Sequence, residues 1–396
     1  MSGLNIDVLR GTNQIGGNLI SVSCEDTTIL LDAGEELEGT DGIPPQAEAL
    51  SCPMGYAAVF VTHYHRDHLG LVYRASPDIP LYLGRKAWAV QTAADQYKSQ
   101  KPLHPAGFLE DRMPIQIGPI TVTPYLCDHS AFDSYMLLVE GTGNSLLYTG
   151  DFRGHGRKSF SAFLKRLPNK VDTLICEGTT LSRPEVEPWS EERLEERVRA
   201  ILSQTAGPAF ALFSSTNLDR VVTFYKAAKR TQRIFLEDLY LAELTSAAGG
   251  SVPHPGSFPD VKVFLPRGYS EGDPNYHRYL RYSAYGSARI GKGAIPVKSL
   301  ICVRASMLPW IRSLGERLPL ADGVLFYSMW SGYREKAGIS EFLTGCRELG
   351  LREETLHTSG HAGQKDLKAL IKRVKPNDII PVHTLNPGWF TDEYGG

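Results

Sequence analysis

Residues 61–70 read VTHYHRDHLG, and within them His63, His65, Asp67 and His68 set four potential metal-ligating groups inside six positions. The apolar run Ala57–Val61 before them predicts a short buried strand, and a turn at its end can splay alternate side chains toward a common point. His63 and His65 then face one cation, while Asp67 and His68 face a second. Neutral imidazoles with a carboxylate suit Zn²⁺, or Mn²⁺ where carboxylates and water share the ligand sphere. The bland reading is a loop of exposed or hydrogen-bonded histidines. That would suffice for a lone His, but it is a poor account of this string.

One such string cannot complete two ligand spheres, so other segments must contribute. CDHS sets Asp128 and His129 after the apolar segment 120–126, SLLYTGDFR ends an apolar strand with Asp151, and NDIIPVHT ends another with His383. Each candidate follows a hydrophobic strand, where an α/β scaffold presents side chains to a shared edge. Taken singly, His129 and His383 also read as satisfied core histidines and Asp151 as a turn residue. Taken together, they extend the candidate ligand set to His63, His65, Asp67, His68, His129, Asp151 and His383.

A chain of 396 residues with 42% hydrophobic and 22% charged residues is expected to fold as two domains of an ordinary globular protein. Its net charge of −2 offers no global attraction to nucleic acid, so any such binding must rely on a local basic surface or on the cations. The six cysteines are scattered without a CxxC pair and read as reduced core residues, which points to the cytoplasm. No leader is expected from MSGLNIDVLRGT, and no apolar run approaches the roughly 18 residues of a membrane span, so no membrane partner is expected.

Short strands with glycine-rich turns fill the first part, from LNIDVLRGT to SLLYTGD, with one helix over RKAWAVQTAADQYKSQ. After LICEGTTL the texture changes. SEERLEERVRAILSQT predicts a helix capped by Ser190, and FALFSST, RVVTFYKAAKR and RIFLEDL predict a strand, helix, strand alternation. The tail from LREETLH to IIPVH reads strand, loop, helix, strand. An inserted domain follows, because His383 must return to the site made by residues 63–151.

The ordered set Asp32 in LLDAG, His63, His65, Asp67, His68, His129 and Asp151 resembles the metallo-β-lactamase fold hydrolases. Glu177 in LICEGTT, His361 in HTSGHAGQKDL and His383 in IIPVH resemble the three further motifs of the β-CASP nucleases, on the side of ribonuclease J and the polyadenylation endonuclease subunit. The resemblance implies an αββα sandwich with an inserted α/β β-CASP domain. The corresponding boundaries are 1–182 for the first part of the sandwich, 183–340 for the insert and 341–396 for the return. It implies two Zn²⁺, with Mn²⁺ as the alternative, bridged by Asp151. His63, His65 and His129 would complete one sphere; Asp67, His68 and His383 would complete the other. Asp67, His361 and Glu177 are the catalytic candidates: hydroxide activated by the two metals would cut a phosphodiester of RNA or single-stranded DNA, with His361 as general acid and Glu177 orienting it. Asp32 would brace the histidine loop. Ser359 and Gly360, beside His361, are expected to contact substrate, and a homodimer is compatible with this reading. The alternative is a hydrolase of a small phosphoester or ester on the same fold. HTLNPGWF after His383, where relatives often have HGE, and Gly363, where they carry a small hydroxyl residue, depart from the family pattern and bear on how a substrate end is recognised.

Two candidate contacts rest on spacing alone. Tyr276, Tyr279, Tyr282 and Tyr285 recur every third residue, interleaved with Arg278 and Arg281, a pattern on which a single strand can stack; packing of the insert explains it equally well. Ser214 and Ser215 follow an apolar strand and would contact phosphate, or simply belong to a helix cap.

Overall fold

The computed structural model describes residues 3–37, 48–52, 55–183 and 188–394. They divide into two units. One contains residues 1–92, 101–188 and 360–396, and the other residues 93–100 and 189–359.

The first unit is built on two six-stranded sheets. In the first sheet, β1 (Asn5–Arg10), β2 (Leu19–Cys24), β3 (Thr27–Ala33), β4 (Ala58–Phe60), β5 (Leu81–Gly84) and β6 (Gly107–Leu109) follow in chain order. The second sheet takes β7 (Ile115–Ile117), β8 (Ile120–Leu126), β9 (Tyr135–Glu140), β10 (Ser145–Tyr148) and β11 (Thr173–Glu177) in turn. It is closed on the β11 side by β18 (Asp378–Val382). Alternation decides what each face covers. Ile20, Val22, Leu31 and Phe60 from the first sheet share one apolar cluster with Val122, Leu137, Tyr148 and Val382 from the second, so the sheets pack face to face. The outer face of the second sheet, through Met136, Leu147 and Leu174, lies under Phe163, Leu367, Leu370 and Phe390 of helices Phe160–Arg166, Gln364–Val374 and Gly388–Tyr394. Leu30, Val59 and Leu83 cover the outer face of the first sheet together with Leu69, Leu71 and Val72. The result is the expected four-layer αββα arrangement. Strand β9 is buried along Tyr135–Val139 because both its faces are covered, and its YMLLV sequence is accordingly apolar without alternation.

The second unit is an α/β domain on a wholly parallel sheet. Its order is β14 (Val261–Phe264), β13 (Ile234–Asp238), β15 (Ser299–Val303), β12 (Ala209–Leu212), β16 (Val324–Tyr327) and β17 (Arg352–Thr355). Ser190 caps its first helix, Glu191–Ser203, by accepting from Arg193 N, as its sequence predicts. Because β17 pairs with β16, this unit runs to residue 359, whereas the expected return began at 341. The six cysteines are all free thiols, five of them buried. No helix among the described residues is long and apolar enough to cross a membrane.

Candidate metal centre

Strand β4 ends at Phe60, and the next turn delivers the histidine string at the edge of the first sheet. Asn18 N donates to the Asp67 carbonyl (3.1 Å) and Glu35 N to the Arg66 carbonyl (3.0 Å), which pins the short helix Arg66–Leu69 against the end of β3. Gly34 makes this approach feasible, since a Cβ there would lie 1.6 Å from the Asp67 carbonyl oxygen.

Two groups of potential ligand atoms result. His63, His65 and His129 form one, and Asp67, His68, Asp151 and His383 form the other; within each, the atoms lie within 4.8 Å of one another. Asp151 Oδ2 stands near both: His68 Nε2 at 3.3 Å, His383 Nε2 at 3.7 Å, His63 Nε2 at 3.8 Å and His129 Nε2 at 3.9 Å. His361, with His129 and Asp151, makes a third such group.

A polar layer behind the imidazoles fixes which nitrogen each presents. His68 Nδ1 faces Asp32 Oδ2 (2.7 Å), His129 Nδ1 the Gly360 carbonyl (2.5 Å), His63 Nδ1 the Thr62 hydroxyl (3.0 Å) and His383 Nδ1 the Thr179 hydroxyl (2.8 Å). Thr62 itself donates to Asp32 Oδ2 (2.9 Å) and Thr179 to Glu177 Oε2 (2.7 Å), so both hydroxyls are left to accept from the rings. Nδ1 of each ring is thus engaged, and the four Nε2 atoms turn toward the centre, that of His383 nearest to Asp67 Oδ2 (3.1 Å) and the others within 3.9 Å of Asp151 Oδ2. His63 Nε2 and Asp151 Oδ1, both buried, have no hydrogen-bond partner among the described residues. Convergent lone pairs on buried and otherwise unsatisfied atoms fit divalent cations bound by nitrogen and oxygen.

The electrostatics agree with that fit for three of the rings, whereas at His68 burial is outweighed by Asp151, Asp32 and Asp67, which raise it well above the usual histidine range. Burial, reinforced by the neighbouring rings, holds His63 well below the usual histidine range. Burial also takes His65 down to about 4, and it depresses His129 despite the opposing pull of Asp151. These imidazoles are neutral at pH 7, as ligation requires. For Asp151, burial is outweighed by His383, His68 and His361, which keep it ionised.

Asp32 is wholly buried and accepts from Thr62 N (2.7 Å), the Thr62 hydroxyl and Tyr148 Oη (2.7 Å) besides His68, the brace expected of it. Glu177 Oε1 accepts from Phe152 N (2.9 Å), and its Oε2 lies 3.2 Å from His361 Nδ1. Burial alone would lower His361, but Glu177 and Asp151 raise it to about 9.

Several residues stand differently from expectation. Gly360 backs His129 through its carbonyl, and a Cβ there would sit 2.5 Å from Ser130 Oγ, so packing and orientation of His129 alone call for a glycine at this position. Ser359 is the last residue of the second unit. Ser214 is exposed at the end of β12, where its hydroxyl meets Thr216 Oγ1 (2.9 Å), and Ser215 beside it is half-buried. Arg278 and Arg281 are half-buried and engaged within their own unit. Arg278 donates to the Tyr97 carbonyl (3.1 Å) over the Tyr97 ring, and Arg281 Nε pairs with Glu243 (2.6 Å). Tyr282 donates to the Ile290 carbonyl (3.1 Å) and packs with Tyr285 on Leu239 and Val263. These contacts are of the kind the packing explanation calls for, while Tyr279 on the same helix stands 38% exposed. Thr179 and Tyr148 escaped the sequence reading; the second threonine-rich position after Glu177, in EGTT, was the available hint for Thr179.

Residues 27–212 match the Beta-lactamase superfamily domain, and residues 350–386 match the Zn-dependent metallo-hydrolase RNA specificity domain. These matches agree with the likeness to the metallo-β-lactamase fold hydrolases that the sequence motifs suggest. Among similar proteins, Ribonuclease J of Sinorhizobium meliloti is 25% identical over 95% of the chain and 68% of its own length. Ribonuclease J of Helicobacter pylori strain B128 is 21% identical over 96% of the chain and 56% of its own length, so the chain spans little more than half of that relative. A solved structure of a protein of unknown function from Enterococcus faecalis V583 superposes with a TM-score of 0.77 at 20% identity, covering 98% of this chain and 95% of that chain.

Proposed function

We propose that the chain is a metal-dependent ribonuclease that holds two divalent cations, Zn²⁺ or Mn²⁺, with Asp151 shared between them. The reading rests on one observation above all: two largely buried ligand groups, His63/His65/His129 and Asp67/His68/His383, converge on a single carboxylate, with His63, His68, His129 and His383 all within 3.9 Å of its Oδ2. Such ions, when bound, supply an acidified water and neutralise charge at a phosphoryl oxygen. The chain's own residues supply the rest. Asp67 acts here as a ligand. Glu177 is a positioning residue that claims Nδ1 of His361 and thereby assigns proton delivery to Nε2, where a leaving oxygen needs it. Ser214, Ser215 and Ser359 are proposed to meet the sugar-phosphate chain. RNA is favoured as substrate because the C-terminal segment matches an RNA specificity domain and the relatives carry the name ribonuclease J.

The test is incubation of metal-loaded protein with labelled RNA and DNA bearing 5′-phosphate, 5′-hydroxyl or circular ends, alongside Asp151→Ala. RNA cleavage that Asp151→Ala abolishes is the expected result. Turnover of small phosphoesters or esters with every RNA left intact would establish the small-molecule alternative instead.

A further inference from the structure

At the carboxyl end of β16 in the second unit, Trp330 and Tyr333 stand on the surface, 41% and 36% exposed, although folding ordinarily covers such rings. They are held in place. Their centroids lie 5.4 Å apart at an interplanar angle of 84°, forming an aromatic corner. A Cβ on Gly332 would lie 2.3 Å from Trp330 Cη2 and 2.4 Å from Cζ3, so the six-membered ring of the indole rests directly on the Gly332 backbone. Tyr327 Oη donates to the Trp330 carbonyl (2.8 Å), which anchors the start of the turn Ser331–Glu335. Arg334 anchors its end by covering the Tyr327 ring at 4.1 Å and pairing with Glu353 at 2.6 Å. Lys336 Nζ stands 4.8 Å over the Tyr333 ring.

A surface made for another protein would continue these rings with apolar side chains. Here the exposed chain neighbours are Ser331, Gly332, Glu335, Lys336, Ala337 and Gly338, so the large exposed apolar side chains of this stretch are the two rings, the size of one or two bases. A rigid indole loses little entropy on stacking, every base offers it a π face, and an ammonium group beside the ring suits the phosphate that follows the base. We propose that Trp330 and Tyr333 form a base-stacking surface for single-stranded nucleic acid, with Lys336 serving its backbone. This deepens the ribonuclease reading and rests on it for the class of ligand.

The test uses the full, metal-loaded chain and a fluorescent, phosphorothioate-substituted RNA of about 12 nucleotides, within the range of single-strand site sizes. Trp330→Ala should weaken binding roughly 10- to 100-fold, as one lost stack does, while hydrolysis of bis(p-nitrophenyl) phosphate is unchanged. Gly332→Ala, which displaces the indole without removing it, should weaken binding in the same direction, and Trp330→Phe should retain part of it. Thermal melting of each variant excludes unfolding as the cause. Unchanged RNA affinity in both Trp330→Ala and Gly332→Ala, with RNA still cleaved, overturns the stacking surface alone. Loss of a dimer in the same variants at unchanged affinity also overturns it and makes the corner a contact between copies. Trp330-dependent binding without RNA cleavage by the wild type keeps the surface and removes the ribonuclease reading.

Discussion

His361 and Asp32 show how differently two residues beside one centre can act. His361 is tethered by Glu177 on Nδ1, and the role proposed for it is proton transfer through Nε2. His361→Ala should therefore lower turnover by roughly 10²- to 10⁴-fold, the usual effect of losing an acid or base, with metal content unchanged by atomic emission. Loss of a metal equivalent would instead place His361 among the ligands, as its proximity to His129 and Asp151 would permit. Asp32 meets no substrate, yet Thr62, Tyr148 and His68 all depend on it inside the core. Asp32→Ala leaves these groups buried without their acceptor and should cost about 3–5 kcal/mol in urea unfolding, together with metal affinity. The ligands were legible in the sequence because HxHxDH is a local pattern and Asp151 and His383 close apolar strands. Their supports were not legible: Tyr148 meets Asp32 across 116 positions and Thr179 meets His383 across 204, and no spacing rule spans such gaps.

Among elements, the helix Tyr276–Ala284 is the clearest case of a pattern that sequence cannot resolve alone. Its three-residue tyrosine spacing is real, but which flank is covered depends on Tyr97 and Glu243, brought in from other helices. The same non-locality blurred the domain boundary: LREETLH was legible as a strand, whereas the sheet it joins was not. Glu243, buried on the helix Leu239–Ala248, makes the contact with this helix testable. Burial lifts its carboxyl to about 7 even with Arg281 beside it. A folded value above the ordinary one means the group contributes stability that is full below about pH 4.5 and is lost as pH climbs through about 7. The unfolding midpoint of the second unit should accordingly fall across that window, and Glu243→Gln should flatten the slope. A variant with the wild-type slope would show that Glu243 titrates alike in both states.

For the whole molecule, two units with separate cores should respond separately to loss of the cations. Ligands bound only by the folded state stabilise it by about 2.7 kcal/mol at 100 times Kd, roughly 5–10 °C for a domain of this size. Chelation should therefore lower the melting of the first unit and leave that of the second in place, as two diverging transitions in calorimetry. A single transition that shifts as one would contradict this independence. The ends of the second unit have a consequence for the order of events at the ribosome. Thr358 Oγ1 donates to the Trp189 carbonyl (2.6 Å), so the folded insert hands the chain back beside the place where it took it over. Strand β18 pairs with β11 across a sequence gap that places Asp378 opposite Thr173. Bridging that gap with all 200 residues between Glu177 and Asp378 as slack chain would cost roughly 1.7 kcal/mol more in loop closure than bridging it with only the about 30 that lie outside the insert. A guest domain that matures first lowers this penalty for its host, which favours pairing of β18, and with it the placement of His383, after the insert has folded.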